Sequence, residues 1–375
     1  MREREKYSFQ RIEPTEVDWN LIESTYDSTC FQTRQWGDYL SKIGYRPFVA
    51  LVTDNEERIG YFIGERVWLG VWLVTAPFEG IGTYTQGLAM LRNVTEIERI
   101  SIYKAFSKWL FDNRIACFFQ VDDWQLRQDS IGWDAEMAVR NEILENELLE
   151  YEIRPTLHVS LNKSVDELWK GLHYKSCKYC VNKANKLGLK VKLVDRIEDI
   201  PDFVDIHYDQ LKEVCFRKGM KPKAAQSKRR MLALCRALFP DRLLMVEVIG
   251  DDDNGVKQIM SSGIFCIDKG ECSYWTGASY KRYQKYSPNE LMVWEAMRMM
   301  SERGAGDLNF CGMANYKLKF GTIYAYVPRI IFTKHEWIFR GKNFAKKLYH
   351  ATRRKIVGAN KTNIKPIKPC DEHSN

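Results

Sequence analysis

The chain spells out one order of structural signals twice, and that repetition limits its fold more than any single motif does. Apolar residues at 48–52, a turn at 54–57, a second strand through 59–63 and a third over 67–74 lead into a helix. That helix carries Ile97, Ile100, Tyr103, Phe106 and Leu110 at helical spacing, with Asn93 and Glu96 as its expected capping box. A strand at 115–121 closes the first unit. The second unit repeats the order, with a strand at 243–249, a turn at 250–255 and strands over 257–266 and 271–275. Its helix opens at Ser287-Pro288-Asn289-Glu290 and stops at Gly304, and a strand at 307–310 follows. Each unit covers roughly 65–70 residues, the scale of one repeated supersecondary block. A meander followed by helix and strand predicts an α+β fold of two tandem units.

A different segment separates the units. Ser164 and Glu167 form a capping box, Leu168, Trp169 and Leu172 give an apolar face, and Gly188 suits a helix stop. One helix is expected here, carrying Lys170, Lys175, Lys178, Lys183 and Lys186 without an acid. Two more helices are expected over 201–218 and 224–238. Pro155 interrupts the pattern and sets the expected boundary. The division is thus 1–154 and 155–340, followed by a basic helical or flexible tail at 341–375. Net charge is +8, but 340–368 holds ten basic residues and no acid, so the remaining body is slightly acidic. The positive charge is a local feature and does not mark the body as a DNA binder.

The same arithmetic excludes other classes. The longest apolar stretch, near 67–74, is far short of the ~20 residues that span a bilayer. The charged start Met1-Arg-Glu-Arg-Glu-Lys6 is no secretory signal, so a soluble cytoplasmic protein with reduced cysteines is expected. No metal site is expected, because the six histidines are scattered and Cys177-x-x-Cys180 lacks a second ligand pair. Gly80, Gly82 and Gly87 precede no helix and read as a loop. Cys311 beside Gly312 reads as a buried structural thiol. One constellation carries chemistry: 307–312, then 315–321 with Lys317 and Lys319, then Tyr324 and Tyr326. Placed on a strand, the two lysines share a face. Paired cations beside free amides can hold an oxyanion or a phosphate; a solvated lysine face is the plain alternative.

These motifs, Ser287-Pro-Asn-Glu-Leu291 with Trp294 and Gly304, then Asp307-Leu-Asn-Phe-Cys-Gly312 and Tyr316-Lys-Leu-Lys-Phe-Gly321, resemble the FemAB group of the GNAT superfamily. Leu168-Trp169 with the lysine run to Gly188, and Phe31-Gln-Thr33 with Trp36 and Gly44-Tyr45, are similar to the group's basic helix and N-terminal start. The likeness covers about residues 28–335. It implies two tandem GNAT-like units, each a mixed, mostly antiparallel sheet flanked by helices. It also implies direct transfer of an acyl or aminoacyl group to an amine of a cell-wall or surface-glycan precursor, nucleotide- or lipid-linked, without a covalent enzyme intermediate. By the same resemblance Lys317 stabilises charge on the reacting carbonyl, Asp122 holds the acceptor amine, and Lys319, Lys223, Tyr274, Trp275, Lys183 and Lys186 bind substrate. No cofactor is tightly bound, and the donor is aminoacyl-tRNA or acyl-CoA. The usual CoA turn is missing: 283–290 lacks glycine, and Pro288 removes an amide donor. Two rivals stay open, an acetyl-CoA-dependent N-acetyltransferase of polysaccharide synthesis and a non-catalytic module. The latter docks on RNA or on the anionic inner face of a membrane through the lysine helix and tail.

Overall fold

A computed structural model describes residues 6–25, 29–68, 71–76, 87–129, 149–223 and 226–335, with isolated positions beyond. The expected tail helix and the Gly80–Gly82 loop lie outside the described residues. Strand β1 (Tyr7–Ile12) pairs with β2 (Arg46–Asp54), and β2 with β3 (Glu57–Trp68), all antiparallel. Asn55 and Glu56 join β2 to β3 with φ of 47° and 74°, the mirror-image turn whose twist matches the strands it joins. Because β3 runs on to Trp68, the third strand starts later than expected, as β4 (Trp72–Ala76). Strand β5 (Gly87–Met90) also pairs with β3. Two short helices, α1 (Trp19–Ser24) and α2 (Arg34–Lys42), lie early in the chain. Helix α3 (Glu96–Asp112) is capped by Thr95, not Asn93: the Thr95 hydroxyl accepts the Glu98 amide at 3.1 Å. Its buried Ile102, Tyr103, Phe106 and Leu110 pack with Phe62 and Phe119 of the sheet. Strand β6 (Phe118–Asp122) runs parallel to β4, and β7 (Gln128–Asp129) follows.

The second unit begins with β8 (Leu149–Ser160) and α4 (Val165–Gly171), whose Ser164–Glu167 capping box forms as the sequence suggests. The single lysine helix does not form. His173 donates its backbone N–H to the Lys319 carbonyl at 2.9 Å, and its ring accepts the Ser176 amide at 3.2 Å. That anchor starts a π-helical turn, Tyr174–Lys178, before α5 (Tyr179–Lys186). Strand β9 (Lys190–Leu193), α6 (Ile200–Arg217) and α7 (Lys228–Leu238) lead to the meander β10 (Leu243–Asp251), β11 (Lys257–Cys266) and β12 (Glu271–Ser279). Helix α8 (Pro288–Glu302), β13 (Asp307–Asn309) and β14 (Ile323–Thr333) complete the order. Helices α5 and α8 cover one face of β10–β13, while α2, α6 and α7 contribute to the core on the other.

Among the described residues the two units share one 14-stranded sheet, ordered β1-β2-β3-β4-β6-β14-β8-β13-β12-β11-β10-β9, with β5 and β7 off that path. The splice is β14, which pairs antiparallel with β6 of the first unit and with β8 of the second. Pro155, expected at a boundary, lies inside β8 opposite Tyr326. Its missing donor is tolerated there because the other neighbour, β13, pairs only with residues 158–160. The mixed sheet flanked by helices is the α+β architecture that the repeated order implies.

Candidate active site

Strands β12 and β13 run parallel for only three residue pairs, ending at Ser273 and Asn309. Past that point they part. Among the described residues no strand pairs with the β13-facing edge of β12 beyond Ser273, so its backbone polar groups face an opening. A bulge sharpens the change. Ile264 faces Thr276 and Phe265 faces Tyr274, so Trp275 is the extra residue.

The bulge decides which of two adjacent aromatics reaches the opening. Tyr274 turns toward α8, stacks on Phe265 at 4.9 Å and meets Phe310 edge-on at 5.8 Å. A Cβ on Gly277 would stand 1.8 Å from the Tyr274 hydroxyl, so only glycine lets that ring lie across β12. Trp275 turns the other way and packs against Phe31 and Trp36, with centroids 6.3 and 6.2 Å apart. The expectation that Trp275 binds substrate therefore fails on direction: the indole is a seam contact between the N-terminal segment and the second unit.

The floor of the opening is the turn after β13, with Cys311 at φ 58° and Gly312 at φ 109°. Asn309 fixes it: its side-chain oxygen accepts the Cys311 amide at 2.8 Å and the Thr156 hydroxyl at 2.6 Å. Thr156 also accepts the Gly312 amide at 3.1 Å, and the Asn309 amide group donates to Glu271. Burial pushes the Cys311 thiol well up, which keeps it protonated and a poor nucleophile. Neither Asn309 nor Thr156 was singled out from sequence. The signal was weak, since polar residues at strand ends are common.

Lys317 closes this turn. The segment 315–320 is a 3₁₀ helix rather than a strand, so Lys317 and Lys319 point apart. Lys317 is only 8% exposed, and its ammonium donates to the carbonyls of Phe310 at 2.5 Å, Gly312 at 3.3 Å and Cys311 at 3.4 Å. Burial lowers its pKa, and the nearby charge of Lys218 adds to that shift. Three carbonyls thus hold the ammonium, one closely and two at longer range. Lys319 turns to α8 and bridges Glu290 at 2.5 Å.

A cavity of about 550 Å³ is lined by Tyr316, Lys319 and Phe320 of the segment 315–320, while Lys317 itself does not line it. Tyr274, Gly277, Val293, Tyr316 and Phe320 form one part of its wall; Arg217, Lys218, Gln284, Asn289, Glu290 and Lys319 form the polar remainder. Burial, followed by contact with Tyr316, pushes the Tyr274 phenol well up, so both phenols are neutral donors at neutral pH. Arg217 and Lys218 went unnoticed as site residues, although the run 216–223 (Phe-Arg-Lys-Gly-Met-Lys-Pro-Lys) is a basic exit from a helix. Lys223 lies exposed further along that exit and does not line the cavity. Lys183 and Lys186 sit on the last turn of α5, outside the lining.

Asp122 is elsewhere. It is 1% exposed, and its two oxygens accept from Nε and Nη2 of Arg329, each at 2.6 Å. The carboxylate expected to hold an acceptor amine is a buried bridge between β6 and β14, and it presents no free face to the opening.

Residues 173–319 match the acetyltransferase (GNAT) domain family. That segment is similar to a GNAT acetyltransferase domain, and the fold of the whole is FemX-like. The crystal structure of FemX superimposes with a TM-score of 0.63 at 14% identity, over 87% of this chain and 98% of FemX. A conserved Bacteroides thetaiotaomicron protein of unknown function gives 0.50 at 11% identity, over 86% and 98%. The C-terminal domain of a putative lysylphosphatidylglycerol synthetase from Agrobacterium fabrum gives 0.48 at 12% identity, over 91% and 98%. No curated protein matches by sequence. Within the matched residues 173–319 lie the splay, Lys317 and all of the cavity lining but Phe320; β14 and the first unit lie outside them.

Proposed function

We propose that the chain is an N-acyltransferase that moves an aminoacyl group from an RNA ester to an amine of a nucleotide- or lipid-linked cell-wall or surface-glycan precursor. The acceptor nitrogen attacks the ester carbonyl, the carbon–oxygen bond to the ribose breaks, and the amine proton passes to the departing oxygen. The carrying observation is the cavity where β12 and β13 part, walled by Tyr274, Gly277 and Ala278 of β12 and by Tyr316, the residue before the buried Lys317. An extended acyl group laid along β12 in that cavity brings its carbonyl toward the turn that Lys317 closes, with no covalent intermediate required.

The start of α8 supports this donor over acyl-CoA. Helix N-termini bind diphosphates through free amides and positive dipole. Here Pro288 removes one amide, Ser287 sits at φ 61°, and the Glu290 carboxylate occupies the first turn, bridged to Lys319. Arg217 and Lys218 leave a phosphate-compatible region on the α6 side of the cavity instead. The second reading, an acetyl-CoA-dependent enzyme, draws on the acetyltransferase family that residues 173–319 match. Mass spectrometry separates them. Purified chain is given a nucleotide-linked precursor with either a mixed aminoacyl-tRNA pool or acetyl-CoA. Addition of an amino-acid residue supports the proposal, acetylation alone replaces it with the second reading, and no product from either donor overturns both.

A further inference from the structure

The π-turn and α5 form a surface that the transfer chemistry does not use. Residues 168–194 contain seven lysines and no acid. The fold buries Cys177, Val181 and Ala184 of this stretch against the core and turns Tyr174 (74% exposed) and Tyr179 (62%) to solvent. Lys175 and Lys186 are exposed beside them, with Lys183 half-buried, and no acid pairs with these three among the described residues. Two outward aromatics interleaved with unpaired cations suit a ligand that has both flat faces and regularly spaced negative charge.

Placement links this face to the cavity. The backbone of His173, next to Tyr174, bonds to Lys319, and the Gly171 carbonyl lies against Gly321. Residues 316, 319 and 320 line the cavity from within, so the basic turn continues its rim outward. The exposed Lys218, Lys221 and Lys223 follow α6 on the other side. Glu290, the acid in the cavity lining, is engaged by Lys319.

We propose that Tyr174–Lys186 is an RNA-docking face, where lysines contact backbone phosphates and Tyr174 and Tyr179 stack on bases, steering the RNA 3′ end into the cavity. This rests on the donor assigned under Proposed function. A membrane surface is the competing partner. The tyrosine hydroxyls and the polar cavity lining of Gln284, Asn289 and Ser279 favour a nucleotide over acyl chains.

The test uses an uncharged RNA minihelix with a single-stranded 3′ end, read by fluorescence anisotropy against salt. Since it carries no acyl group, it reports the surface whether or not the transfer chemistry holds. Three lost phosphate contacts should lower the salt slope by ~2–3 in Lys175→Ala/Lys183→Ala/Lys186→Ala, with affinity falling roughly tenfold or more. Tyr174→Ala/Tyr179→Ala should lose about tenfold with the slope unchanged. Thermal melting checks the fold. As an independent measurement, photo-crosslinking the wild-type chain to thiouridine-substituted RNA should label peptides within 170–192. Unchanged slope and affinity in both variants, or labels elsewhere, overturn the proposal. Capture by phosphatidylglycerol vesicles that weakens in the triple variant, with no RNA binding, gives the face to a membrane. Aminoacyl transfer with an unchanged KM in the triple variant sinks this inference alone; RNA binding with acetyl-CoA turnover sinks only the donor assignment.

Discussion

Arg329→Met asks what Asp122 is for. In the native chain the guanidinium meets both carboxylate oxygens at 2.6 Å, with each side chain 1% exposed. Removing Arg329 takes the closest cation from a buried carboxylate that Arg154 approaches to 4.0 Å, and breaking such buried pairs costs about 3–5 kcal/mol. At ~2–4 °C per kcal/mol for domains of 150–250 residues, melting should fall by roughly 6–20 °C. Asp122→Asn should fall comparably, since the arginine then loses its bidentate carboxylate. The double variant Asp122→Asn/Arg329→Met should recover much of the loss, because no buried charge remains. Differential scanning fluorimetry on the four proteins gives the coupling, and transfer assays well below each melting point give activity. If Asp122→Asn melts like the wild type yet abolishes transfer, the structural assignment is wrong and the carboxylate belongs to the reaction.

Lys317→Ala should lower kcat by ~10²–10³ while the chain stays folded, measured by product formation under saturating donor; turnover like the wild type would remove the ammonium from the chemistry. Gly277→Ala forces the Tyr274 ring into the cavity, at ~1–3 kcal/mol of overpacking, and should raise the donor KM more than it lowers stability. His207, buried between Ser262 and Thr276, has its pKa lowered to about 4 by burial. The folded chain thus resists a proton that the unfolded chain accepts near pH 6.5. This contribution is full above that pH and is lost as pH falls toward 4, by about 3 kcal/mol. Asp268, raised to about 6 by burial, runs the opposite way. The difference between wild-type and His207→Gln urea-melting profiles isolates the histidine, and parallel profiles would refute the assignment.

The doubled order of strand, turn, strand, helix and strand was legible because each half buries its own apolar face, and such faces leave a period in the sequence. Helix ends at Gly188 and Gly304 were legible for a local reason: both take positive φ, at 79° and 74°. Contacts between distant segments were not. Nothing local to 164–188 says that the Lys319 carbonyl will break the helix at His173. Nor does alternation say that a bulge will send Trp275 away from Tyr274. The lysine pair at 317 and 319 was read on a strand period, and a 3₁₀ turn split it. Tyr274 and Lys319, expected from the resemblance, line the cavity, whereas Arg217 and Lys218 reach it only because α6 ends against β12.

Strand β14 has a consequence for how the protein is made. Residues 118–122, 128–129 and 149–158 are its partners, yet all leave the ribosome well before 323–333. Until then the nascent chain holds two apolar strand margins with nothing between them, each a template for adhesion to a neighbour. Synthesis must come almost to Thr333 before the middle of the sheet can be zipped shut, so a message cut short upstream yields a sticky fragment and not half an enzyme.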